Sequence, residues 1–82
     1  MSGAPDLAIE ICGDDQTPTQ LARKALEYLA AGARMAWVVD GVAEQVMVFT
    51  PPNQVKILGR DDLLDGGDAL PGFKCSVREL FE

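Results

Sequence analysis

Pro5-Asp6-Leu7-Ala8-Ile9-Glu10-Ile11-Cys12 is the stretch on which the fold turns. It is a short apolar run, and in an extended conformation its side chains alternate between two faces. Leu7, Ile9 and Ile11 fall on one; Asp6, Ala8, Glu10 and Cys12 fall on the other. A carboxylate inside such a run is costly to bury unless it is paired, hydrogen-bonded or bound to a cation. Glu10 therefore marks the second face as the one where any chemistry sits.

Working outward, Gly13-Asp14-Asp15-Gln16 breaks the strand, and Asp14-Asp15 reads as a solvated turn because no calcium-loop spacing surrounds it. Thr17-Pro18-Thr19-Gln20 is a helix start, with Thr17 as cap, Pro18 at the first helical position and Gln20 completing a capping box. The spacing predicts a helix from about Pro18 to Ala31, closed by Gly32 in a left-handed conformation. Leu21, Ala22, Ala25, Leu26, Tyr28 and Leu29 form its apolar face, and Arg23 and Glu27 an exposed i, i+4 pair. Lys24 lies at the border of that face, one turn before Tyr28, where a long side chain reaches over a neighbouring strand.

Met35-Ala36-Trp37-Val38-Val39-Asp40 reads as a buried strand, and Asp40-Gly41 begins the turn into Gln45–Thr50. Pro51-Pro52-Asn53 separates that strand from Gln54–Leu58, whose alternation places it nearer a sheet edge. Beyond Gly59, Arg60–Leu64 is expected as a short turn of helix and Asp65–Asp68 as a loop. Leu70, Phe73, Val77, Leu80 and Phe81 are apolar anchors for the tail. The strand, helix, strand order predicts a parallel crossover followed by an antiparallel meander. The fold class is α+β: a mixed sheet of about four strands with one main helix, in a single domain spanning residues 1–82.

Composition excludes several chemistries. Of 82 residues, 48% are hydrophobic and 24% charged, a globular balance. A chain of this size buries only about 60–65% of its unfolded surface, so association with a second copy is a natural way to gain stability. Histidine is absent, and Cys12 and Cys75 are far apart without C-x-x-C spacing. Zinc sites of the usual kinds and histidine-dependent serine or cysteine hydrolases are thereby ruled out. The net charge of −6 repels a polyanion, so DNA is a partner only through a local site bridged by a divalent cation. No apolar run approaches the roughly 20 residues that span a bilayer. Met1-Ser2-Gly3-Ala4 shows no secretory pattern, which predicts a cytoplasmic protein with reduced thiols.

Four segments carry a resemblance. Pro5–Ile11, Lys24-Ala25-Leu26-Glu27-Tyr28-Leu29-Ala30-Ala31-Gly32, Trp37-Val38-Val39-Asp40 and Leu64-Asp65-Gly66-Gly67-Asp68-Ala69-Leu70-Pro71-Gly72-Phe73, in this order and spacing, resemble the carboxy-terminal half of the Uma-two family. That family is classed with restriction endonucleases, in the PD-(D/E)XK nuclease-like superfamily. The resemblance implies a truncated restriction-endonuclease-like core in which acidic residues hold Mg²⁺ or Mn²⁺ and a lysine helps activate water. By position, Glu10 is similar to the family's strand glutamate and Asp6 to the aspartate opening that strand. Lys24 is the candidate basic residue, since Cys12 occupies the superfamily's usual lysine position. The family's earlier strand, which bears another catalytic aspartate, has no counterpart here, and Gly13-Asp14 replaces a common Ser-Pro.

Glu10 is thus open to two readings, a metal ligand or a carboxylate paired with Lys24. Asp6 stands four residues before it, about 13 Å along a strand, too far for both to clasp one ion easily. The expectation is metal-dependent phosphodiester hydrolysis if the protein is active, with Glu10 and Lys24 catalytic and Glu10 and Asp6 at the metal. An inactive or dimer-dependent state of the lone chain is included in that expectation. The alternative is a noncatalytic interaction or dimerisation module that pairs through an open sheet edge.

Overall fold

The computed structural model describes residues 6–13, 16–52 and 54–82. Strands Leu7–Cys12 (β1), Met35–Asp40 (β2), Gln45–Thr50 (β3) and Gln54–Leu58 (β4) form one sheet in the order β1-β2-β3-β4. The first pair is parallel, with Glu10 opposite Val38, and the other two are antiparallel. Helix Pro18–Ala30 (α1) makes the crossover between β1 and β2. The expected mixed four-strand sheet with one principal helix is therefore present. Met1–Pro5, the Asp14-Asp15 turn and Asn53 lie outside the described residues.

Local chemistry accounts for the helix. Thr17 Oγ1 accepts from Gln20 N at 3.2 Å, and Gln20 Oε1 accepts from Thr17 N at 2.9 Å, so two donors at the helix start are satisfied reciprocally. Pro18 has no N–H to leave unpaired there. Ala31 is the C-cap, and Gly32, at φ 113°, turns the chain in a region open to glycine. Replacing Thr17 by alanine should lower stability by about 1 kcal/mol, read as a shift in a denaturant midpoint at constant slope. Arg23 and Glu27 are both exposed, but they form no ion pair among the described residues, in contrast to the i, i+4 pair expected from their spacing.

The sheet separates two apolar clusters. On the helix side, Ala8, Ala36, Val38 and Phe49 meet Leu21 and Ala25, with Cys12 and Tyr28 at the margin. On the opposite side, Met35, Trp37, Val46 and Leu58 meet Leu64 and Val77, flanked by Phe73, Cys75 and Phe81. This second layer comes from a feature the sequence reading missed: Leu63–Asp65 (β5) and Lys74–Ser76 (β6) pair antiparallel as a separate ribbon, followed by a 3-10 turn over Val77–Phe81. Leu63 and Leu64 are thus in a strand, not the expected turn of helix. The reason is alternation: Leu64 points into the core and is fully buried, whereas Leu63 faces solvent.

The glycine-rich segment joins β5 to β6. Gly66 donates its N–H to Phe73 O at 2.9 Å and accepts at its carbonyl from Leu70 N at 3.0 Å. Asp65 Oδ1 accepts from Gly67 N at 2.7 Å, and Gly67 (φ 55°) and Gly72 (φ 84°) take positive angles. The ring of Trp37 lies 5.7 Å from that of Phe73, tilted by 40°. Trp37 is buried, and its indole N–H has no partner among the described residues.

Candidate functional site

Glu10 lies mid-way along β1, on the face covered by α1. The helix packs on β1, β2 and β3 through Leu21 and Ala25, and this places residues on its flank over the edge strand. Lys24 and Tyr28, one turn apart, converge on Glu10. The Lys24 ammonium donates to Oε1 at 3.2 Å and the Tyr28 hydroxyl donates to Oε2 at 3.3 Å. The Glu10 side chain is only 19% exposed, against 49% for Lys24. A strand carboxylate at the rim of an apolar cluster is thereby satisfied on both oxygens.

Hydrogen bonding to Glu10, and then its charge, push the Lys24 ammonium above the ordinary lysine value of 10.5. The neighbouring Tyr28 and Glu27 act in the same direction, and burial acts weakly against them. Lys24 is therefore cationic throughout the neutral range and acts as a charge and a donor, not as a base. The raised lysine value adds stability at neutral pH, and this contribution disappears as pH rises from 10.5 through the raised folded value. Glu10→Gln should return the Lys24 titration midpoint downward toward the ordinary value, observed on the Nζ resonance by NMR.

Asp6 is placed elsewhere. It precedes β1, is largely exposed, and faces Arg34 Nε across 3.9 Å. Its backbone carbonyl accepts from Arg34 N and Met35 N, so its structural part is to register the start of β1 against β2. Cys12, at the position two beyond Glu10, donates its thiol to Gln16 O at 3.2 Å and packs against the helix-side cluster. Cys75 lies on the other side of the sheet, where burial pushes its thiol up. No group of three or more histidine, cysteine, aspartate or glutamate side chains able to hold a metal occurs among the described residues. The clefts around Thr50, Lys56 and Gly67 do not include Glu10, Lys24 or Tyr28 in their linings.

Sequence reasoning singled out Glu10 and Lys24, and the structure brings them together. In the sequence, Tyr28 counts only toward the apolar face of the helix. Its spacing from Lys24 held the missing signal, because residues four apart on a helix share a face.

A family profile described as "Putative restriction endonuclease", Uma2, matches residues 1–78. The chain belongs to the Uma2 family. No curated protein matches. Among solved structures, the Uma2 chain is similar to a protein titled a putative nuclease belonging to DUF820 from Anabaena variabilis ATCC 29413, with a TM-score of 0.85 and 29% identity. The match covers 95% of this chain and 44% of that one, so the Uma2 chain spans less than half the length of the nuclease-like protein it matches. The fold and the nuclease-like relationship are thus established for nearly all of the described sheet and helix. No helix among the described residues is long and apolar enough to cross a membrane.

Proposed function

We propose that this Uma2 chain carries one part of a divalent-cation phosphodiesterase site acting on DNA, with Glu10 as a cation ligand and Lys24 as the residue that contacts phosphate. The observation that supports this reading is the placement of Glu10: a largely shielded carboxylate on the edge strand, bonded to a half-exposed lysine that is cationic at neutral pH. Mg²⁺ and Mn²⁺ suit such a site, since hard cations bind through one or two carboxylates while keeping waters and substrate oxygens. Glu10 fits as one ligand. Asp6, held against Arg34, does not come to the same point, so a working site takes its remaining oxygen donors from outside the described residues. When bound, the cation supplies acidity to a coordinated water and draws charge from the phosphate. Lys24 orients a phosphate oxygen or a water through its N–H donors, and Tyr28 stays with the carboxylate.

The test is a Mg²⁺ and Mn²⁺ titration of the full chain by calorimetry, beside Glu10→Gln. Saturable binding that disappears in the variant is expected. Equal binding by both proteins, or none by the wild type, overturns the assignment of Glu10.

A second reading is supported by a separate observation. β1 pairs only with β2 among the described residues, and Ile9 and Ile11 beside its free edge are 48% and 70% exposed. An edge strand with apolar side chains is a template for another strand. On this reading the chain is an interaction module, as a homodimer or against another protein, and dimerisation is also a route by which a site receives missing ligands. Size-exclusion with light scattering should then give a dimer, and replacing Ile9 and Ile11 by lysine should give a monomer. A wild-type monomer up to high concentration sinks this reading.

A further inference from the structure

Met35 N donates to the Asp6 carbonyl at 3.2 Å, and this fixes the hydrogen-bonding parity of β1. The N–H and C=O of one strand residue point to the same neighbour, and the direction alternates along the chain. Ala8, Glu10 and Cys12 therefore address β2, while Leu7, Ile9 and Ile11 direct their backbone groups at the edge left without a strand partner among the described residues. The same three residues carry their side chains on the ribbon side, opposite Ala8 and Cys12. Unpaired donors and acceptors thus coincide with an uncovered apolar row.

We propose that this edge takes a second copy of the chain, antiparallel and centred on Ile9, so that the two sheets become continuous. The inference rests on the interaction-module reading and specifies its partner and register. Ile9 then faces Ile9 of the second copy and Ile11 faces Leu7, each pair exchanging both backbone hydrogen bonds. Charge selects this centre. A pair centred on Glu10 sets two carboxylates directly opposite, and one centred on Ala8 sets Glu10 against Asp6, both unfavourable. Centred on Leu7 or Ile11, the far end of the strand overhangs the other copy's β1. Centred on Ile9, Glu10 faces Ala8, and the two Glu10 residues lie on a diagonal about 7–8 Å apart, each beside its own Lys24.

The layers leave room. Helix α1 is centred on β2, and the two copies of β2 would lie three strand spacings apart, about 14 Å. Packed helices need about 8–10 Å between axes, so the two do not collide. On the other side, the ribbon covers Met35, Trp37, Val46 and Leu58 and leaves Ile9 and Ile11 clear.

The test combines light scattering with amide hydrogen exchange on the full wild-type chain. In dilute monomer, the amides of Ala8, Glu10 and Cys12 should exchange slowly and those of Leu7, Ile9 and Ile11 fast; in the dimer all should be slow. Ile9→Lys and Ile9→Glu should each be monomeric, and their equimolar mixture should restore the dimer, because position 9 faces itself. The matching mixture at Ile11 should not, since that position faces Leu7. A dimer whose Leu7, Ile9 and Ile11 amides still exchange fast overturns pairing through β1 and leaves the interaction-module reading standing on another surface. A wild-type monomer at high concentration overturns both. No dimer from the position 9 mixture, with both variants folded, overturns the register. Should those variants fail to fold, the wild-type exchange pattern decides.

Discussion

Leu64→Ala should destabilise the protein by about 3–5 kcal/mol, the range for truncating a well-packed buried leucine. Leu64 is fully buried where the β5–β6 ribbon meets the sheet, among Trp37, Val46, Leu58 and Val77. Its loss removes the transfer free energy of the deleted atoms and leaves a cavity bounded by side chains from two layers. A domain of 82 residues has a total stability of about 4–12 kcal/mol. The substitution therefore takes away a large share of it. Leu63→Ala is the internal control: Leu63 points to solvent, so its truncation should cost under about 0.5 kcal/mol. Urea midpoints of the two variants give the comparison directly, and equal midpoints would mean that the ribbon does not seal the sheet.

Gly66→Ala should cost about 3 kcal/mol, the upper part of the range for overpacking. A Cβ at Gly66 meets Leu70 O at 2.5 Å, Leu70 Cβ at 2.8 Å and Phe73 Cβ at 3.1 Å. The nearest atom is backbone, so no rotamer change relieves the contact; the turn that bonds Gly66 to both Leu70 and Phe73 has to open. Gly13→Ala supplies the contrast, since nothing lies within 4 Å of a Cβ there. Thermal melting should show a large drop for the first substitution and little change for the second. The Leu64–Phe73 segment, one of the four that resemble the family, thus needs Gly66 for a tight turn.

The sheet was readable wherever one face is apolar and turn residues bound the run. Thr17-Pro18 and Gly32 delimited α1, and Asp40-Gly41 and Pro51-Pro52 delimited β3. Alternation also separated Glu10 from the face of Leu7, Ile9 and Ile11. The ribbon was not readable, because β5 and β6 have three residues each, too few for periodicity to distinguish a strand from a helical turn. Register between them comes from Gly66, Leu70 and Phe73, contacts that only the folded chain reveals. At the site, Glu10 and Lys24 were legible because a carboxylate in an apolar strand demands a partner and a crossover helix provides one. Tyr28 was hidden by its double character: a ring that satisfies the apolar pattern also carries a hydroxyl, and the pattern registers only the ring. Arg23 and Glu27 show the converse, since suitable spacing on an exposed face does not fix two flexible side chains together.

The placement of the single tryptophan has an optical consequence. Trp37 sits beneath Phe73 on the ribbon side of the sheet, whereas Glu10, Lys24 and Tyr28 occupy the helix side. Its emission should redden when the ribbon peels away and water reaches the indole, yet remain steady when Glu10→Gln alters the carboxylate across the partition. Fluorescence of this one fluorophore therefore distinguishes a protein that has come apart from one altered only on the helix side.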